Sequence, residues 1–179
     1  WKRDAGCGPT CAANVMTYLS ETDQRLRPLA HQEAQELTNY IALMETLFDY
    51  VTPTKMGVYK PEMFEQGVLE YARSRGVALV SHVFRIPRKN SGRKDVEAMI
   101  AFVEAGLAAD CPIAFLNLSK GAVKTIQGWH WITLCRSEGF GNKRFYVDGS
   151  DEGERIRFDL ASWYQTTKLG GGLVYFTYE

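Results

Sequence analysis

The sequence predicts an α+β fold, with helices in the first half and an antiparallel sheet closing the second. Apolar residues in the first half recur at helical spacing between proline and glycine punctuation, whereas the second half consists of short aromatic and β-branched runs separated by glycine clusters. No segment repeats. A chain of 179 residues with 45% hydrophobic and 12% aromatic content is long enough to bury one core, so a single domain over 1–179 is expected.

In "GCGPTCAANVMTYL" (Gly6–Leu19), Ala12, Val15, Met16 and Leu19 share one face of a helix and Pro9 suits its first turn. The tract "HQEAQELTNYIALMETLFDYV" predicts a second helix ending before Pro53, and "TPTKMGVYK" a connecting loop. A third helix, "PEMFEQGVLEYARSRG", opens on Pro61 and closes on Gly76. "VALVSHVFRI" reads as a strand, "KDVEAMIAFVEAGLAAD" as a helix and "CPIAFLNL" as a short buried strand. The strands "WHWITLCR", "KRFYVDG", "RIRFDL" and "GGLVYFTY" follow, with "ASWYQTT" a short helical turn between the last two.

Composition narrows the function classes. Lys plus Arg and Asp plus Glu both number 21, a net charge of zero, which argues against a nucleic-acid partner. The basic stretch "RIPRKNSGRK" from Arg85 to Lys94 has no interleaved aromatics and reads as a solvated loop. No apolar run approaches the roughly 20 residues that cross a bilayer, so no membrane span is expected. The chain starts at Trp1 rather than Met, so upstream sequence is expected to have been removed or left out. Cys7, Cys11, Cys111 and Cys135 are too few and scattered for a disulfide scaffold; the cysteines and histidines lack zinc-ligand spacing, and "CGPTC" has three intervening residues where a redox dithiol has two. No cofactor or metal is expected. Nothing in the pattern specifies an oligomeric state.

Cys7 sits where a helix begins. There, the half positive charge and unpaired N–H groups of a helix N-terminus favour a thiolate, and Gly6 and Gly8 leave room for a substrate carbonyl beside the Cys7 N–H. A small buried hydrophobe is the bland alternative for both Cys7 and Cys11; Cys11, one turn inside, feels less of the terminal field. A thiolate nucleophile also needs a base and a group to orient it. His31 and His82 read as structural. His130 lies between two tryptophans at the start of a strong strand, and a hairpin through "SEGFGN" returns "FYVDGSDEG" toward it. A turn centred on Gly139 sets Asp148 opposite His130; a shift of the centre by half a residue would set Gly149 or Val147 there instead, and Asp151 and Asp159 lie close by in sequence.

"GCGPTC" opening a helix, "HWITL" on a late strand and "VDGS" on the next resemble the papain-like cysteine peptidases, in particular the bacteriocin-processing (double-glycine leader) peptidases and their free-standing relatives. "MGVYKPEMFEQGVLEYARSRGV" and "FDLASWYQTTKLGGGLVYFTY" extend the likeness over most of the chain. The resemblance implies a papain-like fold and a peptide or protein substrate, with Cys7 as nucleophile, His130 as general base and acid, and Asp148 orienting His130. It also implies an oxyanion-hole glutamine shortly before the cysteine, and none of the six residues preceding Cys7 is Gln. An acyltransferase or deamidase using the same residues, or a binding domain of this fold with impaired catalysis, are the alternatives. A free nucleophilic Cys7 leaves three other cysteines, which tilts toward a reducing compartment such as the cytoplasm.

Overall fold

The computed structural model describes residues 6–30, 36–89, 91–139 and 144–178. His31 and the tip of the "SEGFGN" turn lie outside them. The first helix, α1 (Cys7–Thr22), begins two residues before Pro9 and buries Ala12, Ala13, Val15, Met16 and Leu19. A 3-10 turn over Gln24–Leu29 follows, a piece that the hydrophobic spacing did not indicate because Pro28 interrupts it. Helix α2 (Leu37–Tyr50) and helix α3 (Pro61–Ser74) flank α1, and α3 opens on its proline as expected.

Strand β1 (Val80–Ile86), helix α4 (Val96–Ala108), strands β2 (Ile113–Asn117), β3 (His130–Gly139), β4 (Phe145–Asp151) and β5 (Glu154–Asp159), helix α5 (Leu160–Thr166) and strand β6 (Gly171–Thr177) complete the order. The six strands form one antiparallel sheet ordered β1-β6-β2-β3-β4-β5. The chain is therefore α+β, with its helices mainly N-terminal and its sheet mainly C-terminal.

Between the helices and the sheet, Phe64 of α3 stacks on Trp131 of β3 with centroids 4.4 Å apart. Elsewhere in the core, Phe115 meets Trp163 edge-on at 4.6 Å and stacks on Phe158. Such aromatic pairs add to the area they bury, about 0.5–1.5 kcal/mol each. Buried Asn117 is fully satisfied: its Oδ1 accepts the Trp163 indole N–H and its Nδ2 donates to the Gln127 carbonyl, which anchors the segment leading into β3.

Two expectations change. The basic stretch is not wholly solvated: Arg93 donates to the carbonyls of Pro87, Tyr164 and Thr167, tying that segment to α5. The β3–β4 hairpin forms but is longer than supposed. Gly139 pairs with Phe145, so the turn is centred on residue 142 rather than 139, and a register shift between Leu134 and Arg136 leaves Cys135 as an extra residue.

Candidate active site

Helix α1 starts on Gly6, whose backbone is helical (φ −80°, ψ −9°), and no acidic residue occupies its first turn. The positive end of the helix therefore acts undiminished on Cys7, its first residue. Gly8 lets this end approach the segment after α2: a methyl group on Gly8 would lie 2.8 Å from Val58 Cγ2. The same segment holds the start of β3, because Trp131 donates its indole N–H to the Val58 carbonyl (2.6 Å) and Trp129 donates its own to the Met56 carbonyl (2.7 Å). His130, between the two tryptophans, is thereby set against Cys7.

Cys7 and His130 lie close enough for each to shift the titration of the other. The Cys7 thiol is half-buried; burial alone would raise its pKa, but hydrogen bonds from His130 and from the Trp131 and Gly8 backbones, with the His130 charge, together bring it below its ordinary value. His130 is raised to about 9, first by its hydrogen bond to Cys7, against the opposing effect of burial, and then by Asp151. The two directions both favour the charged form of the pair over what either group would show alone.

His130 Nε2 lies 2.6 Å from Asp151 Oδ1, both side chains being only 11% exposed, which leaves Nδ1 for the sulfur. Asp148 is not at this place. It pairs in register with Arg136, six residues along β3 from His130, or roughly 20 Å at the rise of a strand. There it is 3% exposed, accepts a hydrogen bond from Arg155 at 2.8 Å and lies 3.7 Å from Arg157. The longer hairpin is the reason: moving the turn centre by three residues moves the partner of every β3 position by six, and the extra residue at Cys135 returns one, so Gly153 falls level with His130 and Asp151, two residues earlier on the same face, reaches the ring diagonally. The register that brings Asp151 to His130 depends on residues around the turn, where no hydrophobic alternation announces it. Asp159 is elsewhere, capping α5 through the Ser162 N–H.

The remaining candidates separate clearly. Cys11 is fully buried and its thiol is pushed up to about 12, chiefly by burial. His82 stacks on Tyr175 and hydrogen-bonds Thr177 between β1 and β6. Trp163 and Trp131 are core, whereas Trp129 is 43% exposed. All four cysteines are free, and among the described residues no three His, Cys, Asp or Glu side chains converge as metal ligands would. No described helix is long and apolar enough to cross a membrane.

Cys7 and His130 open onto a cleft of about 980 Å³ whose walls include Asn14, Tyr40, Gln127, Trp129 and Asp151. Its inner end is polar: Tyr40 donates to Asn14, Asn14 to Thr133, and Thr133 to the Cys11 sulfur. Gln127 is the sole glutamine among the described lining residues. A half-buried thiol whose pKa is lowered, an imidazole whose pKa is raised and an acid against that imidazole are the groups acyl transfer uses: attack on a carbonyl carbon, then protonation of the leaving group. No family model matches the chain, and no curated protein or solved structure matches it significantly.

Proposed function

We propose that the chain is a cysteine peptidase of papain-like fold that hydrolyses a peptide or amide bond through Cys7, His130 and Asp151. The observation that carries this reading is the meeting of Cys7, at the start of α1, with His130, whose Nε2 lies 2.6 Å from Asp151 Oδ1, the thiol being lowered and the imidazole raised. The Cys7 thiolate attacks the substrate carbonyl carbon, and the electron pair of the carbonyl moves to oxygen near the Cys7 backbone N–H. As the tetrahedral species collapses, His130 gives its proton to the departing amine and a thioester remains on Cys7. Water then adds to the thioester, His130 takes its proton, and the acid product leaves the thiolate behind. Asp151 holds the imidazole in the orientation and protonation that both steps use.

Alkylation tests the reading. Iodoacetamide should label Cys7 rapidly at mildly acidic pH, where Cys11 and Cys111, both raised by burial, stay unreactive. His130→Ala removes the largest influence that lowers the thiol and leaves the burial that raises it, so labelling at that pH should slow by tenfold or more. Turnover should fall as pH rises through about 9, where His130 loses its proton. The linked stability has opposite signs for the two groups. His130, raised from 6.5, contributes fully below that value and loses its contribution as pH passes about 9; Cys7, lowered from 9.0, contributes fully above that value and loses it as pH falls through its lowered pKa. Equal labelling of Cys7 in the wild type and the His130→Ala variant across this range would exclude the ion pair.

A further inference from the structure

The mechanism uses the atoms of Cys7, His130 and Asp151 and leaves unexplained the residue immediately before His130. Trp129 is one of three non-glycine residues with positive φ among the described residues (φ +62°), a conformation that a bulky side chain rarely adopts. Its indole is also 43% exposed and lines the cleft. Strain and exposure both oppose folding, and the buried indole of Trp131 already ties the 56–58 segment to β3 through the Val58 carbonyl, so the bond from Trp129 to Met56 is a second tie. The bond from Trp129 Nε1 to the Met56 carbonyl fixes the ring, and Met56, itself 53% exposed, stands beside it at the tip of the Thr54–Gly57 turn. The result is a fixed, partly exposed indole on the cleft wall one residue before His130, which is what a residue held for recognition provides.

Which part of a substrate meets it follows from the chemistry. His130 delivers its proton to the departing nitrogen, so a residue adjoining His130 flanks the leaving-group side of the bond. We propose that Trp129, with Met56, forms a subsite for a large apolar side chain, aliphatic or aromatic, on the residue following the scissile bond. Beside Cys7 and His130, the ionisable acids that share the cleft are Asp151 and Glu152, with no Lys or Arg among its described lining residues, so an acidic side chain is disfavoured there. This inference rests on the peptidase reading.

The experiment uses peptides identical except for Phe, Leu, Gly or Asp after the scissile bond. Their hydrolysis is measured for the wild type and for Trp129→Phe, Trp129→Gly and Met56→Ala, and their binding to a Cys7→Ala background with and without Trp129→Gly by calorimetry. Expected is a wild-type preference for Phe and Leu over Gly of tenfold or more in kcat/KM, with Asp poorest. Trp129→Phe should retain most of it, Met56→Ala should weaken it, and Trp129→Gly should reduce it to within about twofold, the loss falling more on KM than on kcat. Glycine accepts the φ of +62° without strain, so Trp129→Gly should fold; if it does not, Trp129→Phe and Met56→Ala decide. A preference that survives the decisive substitutions overturns the subsite and leaves the peptidase standing, as does an equal loss for Phe and Gly peptides, which would make Trp129 a positioning residue for His130. Trp129-dependent binding of the Phe peptide without hydrolysis of any peptide supports the subsite and overturns the peptidase. Neither binding nor hydrolysis overturns both.

Discussion

Asp148 and Asp151 lie three residues apart on one strand and are bound to different duties by their partners. Asp151 touches the His130 ring, and Asp148 is enclosed under Arg155 and Arg157. Asp151→Ala is therefore expected to lower kcat/KM by roughly 10²- to 10⁴-fold, because an unheld imidazole loses its tautomer and direction. Its melting temperature should change little. Asp148→Ala should show the reverse: turnover within a few-fold of wild type, and a loss of about 1 kcal/mol, since the two arginines it releases are 70% and 41% exposed and rehydrate. That corresponds to a melting shift of roughly 2–4 °C in a chain of this length. A large kinetic effect of Asp148→Ala with none for Asp151→Ala would reverse the assignment. At this scale Cys7 and His130 are legible from the sequence, because a helix start and a strand start are signalled locally by glycine, proline and aromatic residues. The acid is not, since its choice depends on counting through a turn.

The elements were legible wherever a period had room to repeat. Helix α3 and strands β1 to β6 lie within a few residues of their expected runs, and the boundaries that moved are those with weak punctuation, such as the start of α2 at Leu37. What no periodicity conveys is the task of the loop "TPTKMGVYK". Its Met56 and Val58 carbonyls hold both tryptophans beside His130, and its Val58 side chain rests on Gly8 of α1. The loop is thus the spacer between the thiol's helix and the imidazole's strand. Gly8→Ala places a methyl group 2.8 Å from Val58 Cγ2 and 3.1 Å from its Cβ, contacts that a buried valine relieves only by moving backbone. The expected cost is about 1–3 kcal/mol. Because the displaced segment carries the His130 strand, kcat/KM should fall by more than the population of unfolded protein explains. Thermal melting and kinetics on one sample read both quantities, and a variant unchanged in each would refute the spacer role.

Across the whole molecule the strand order departs from the chain order at one place, where β6 enters between β1 and β2. The run Gly170–Gly172 makes the entry possible. A methyl group on Gly171 would lie 1.9 Å from the Leu116 carbonyl oxygen, and one on Gly170 would lie 2.0 Å from that of Ile86. Gly171 also holds φ at +152°. Gly171→Ala is accordingly expected to cost at least about 3 kcal/mol, since the obstacle is backbone on a central strand, and to show as a large drop in melting temperature or in soluble yield. A wild-type melting temperature would show that β6 does not take this path. The sequence displayed the glycines and the strand but not its neighbours, because pairing between distant strands leaves no mark on local spacing.

The central place of β6 also orders events in time. During synthesis Cys7 and its helix are made early, while the strand that joins the two parts of the sheet follows roughly 160 residues later, a delay of about 10–30 s at ordinary elongation rates. Until then β1 and β2 have no common partner. The sheet is therefore completed only by the last strand to be made, long after the helix that bears Cys7.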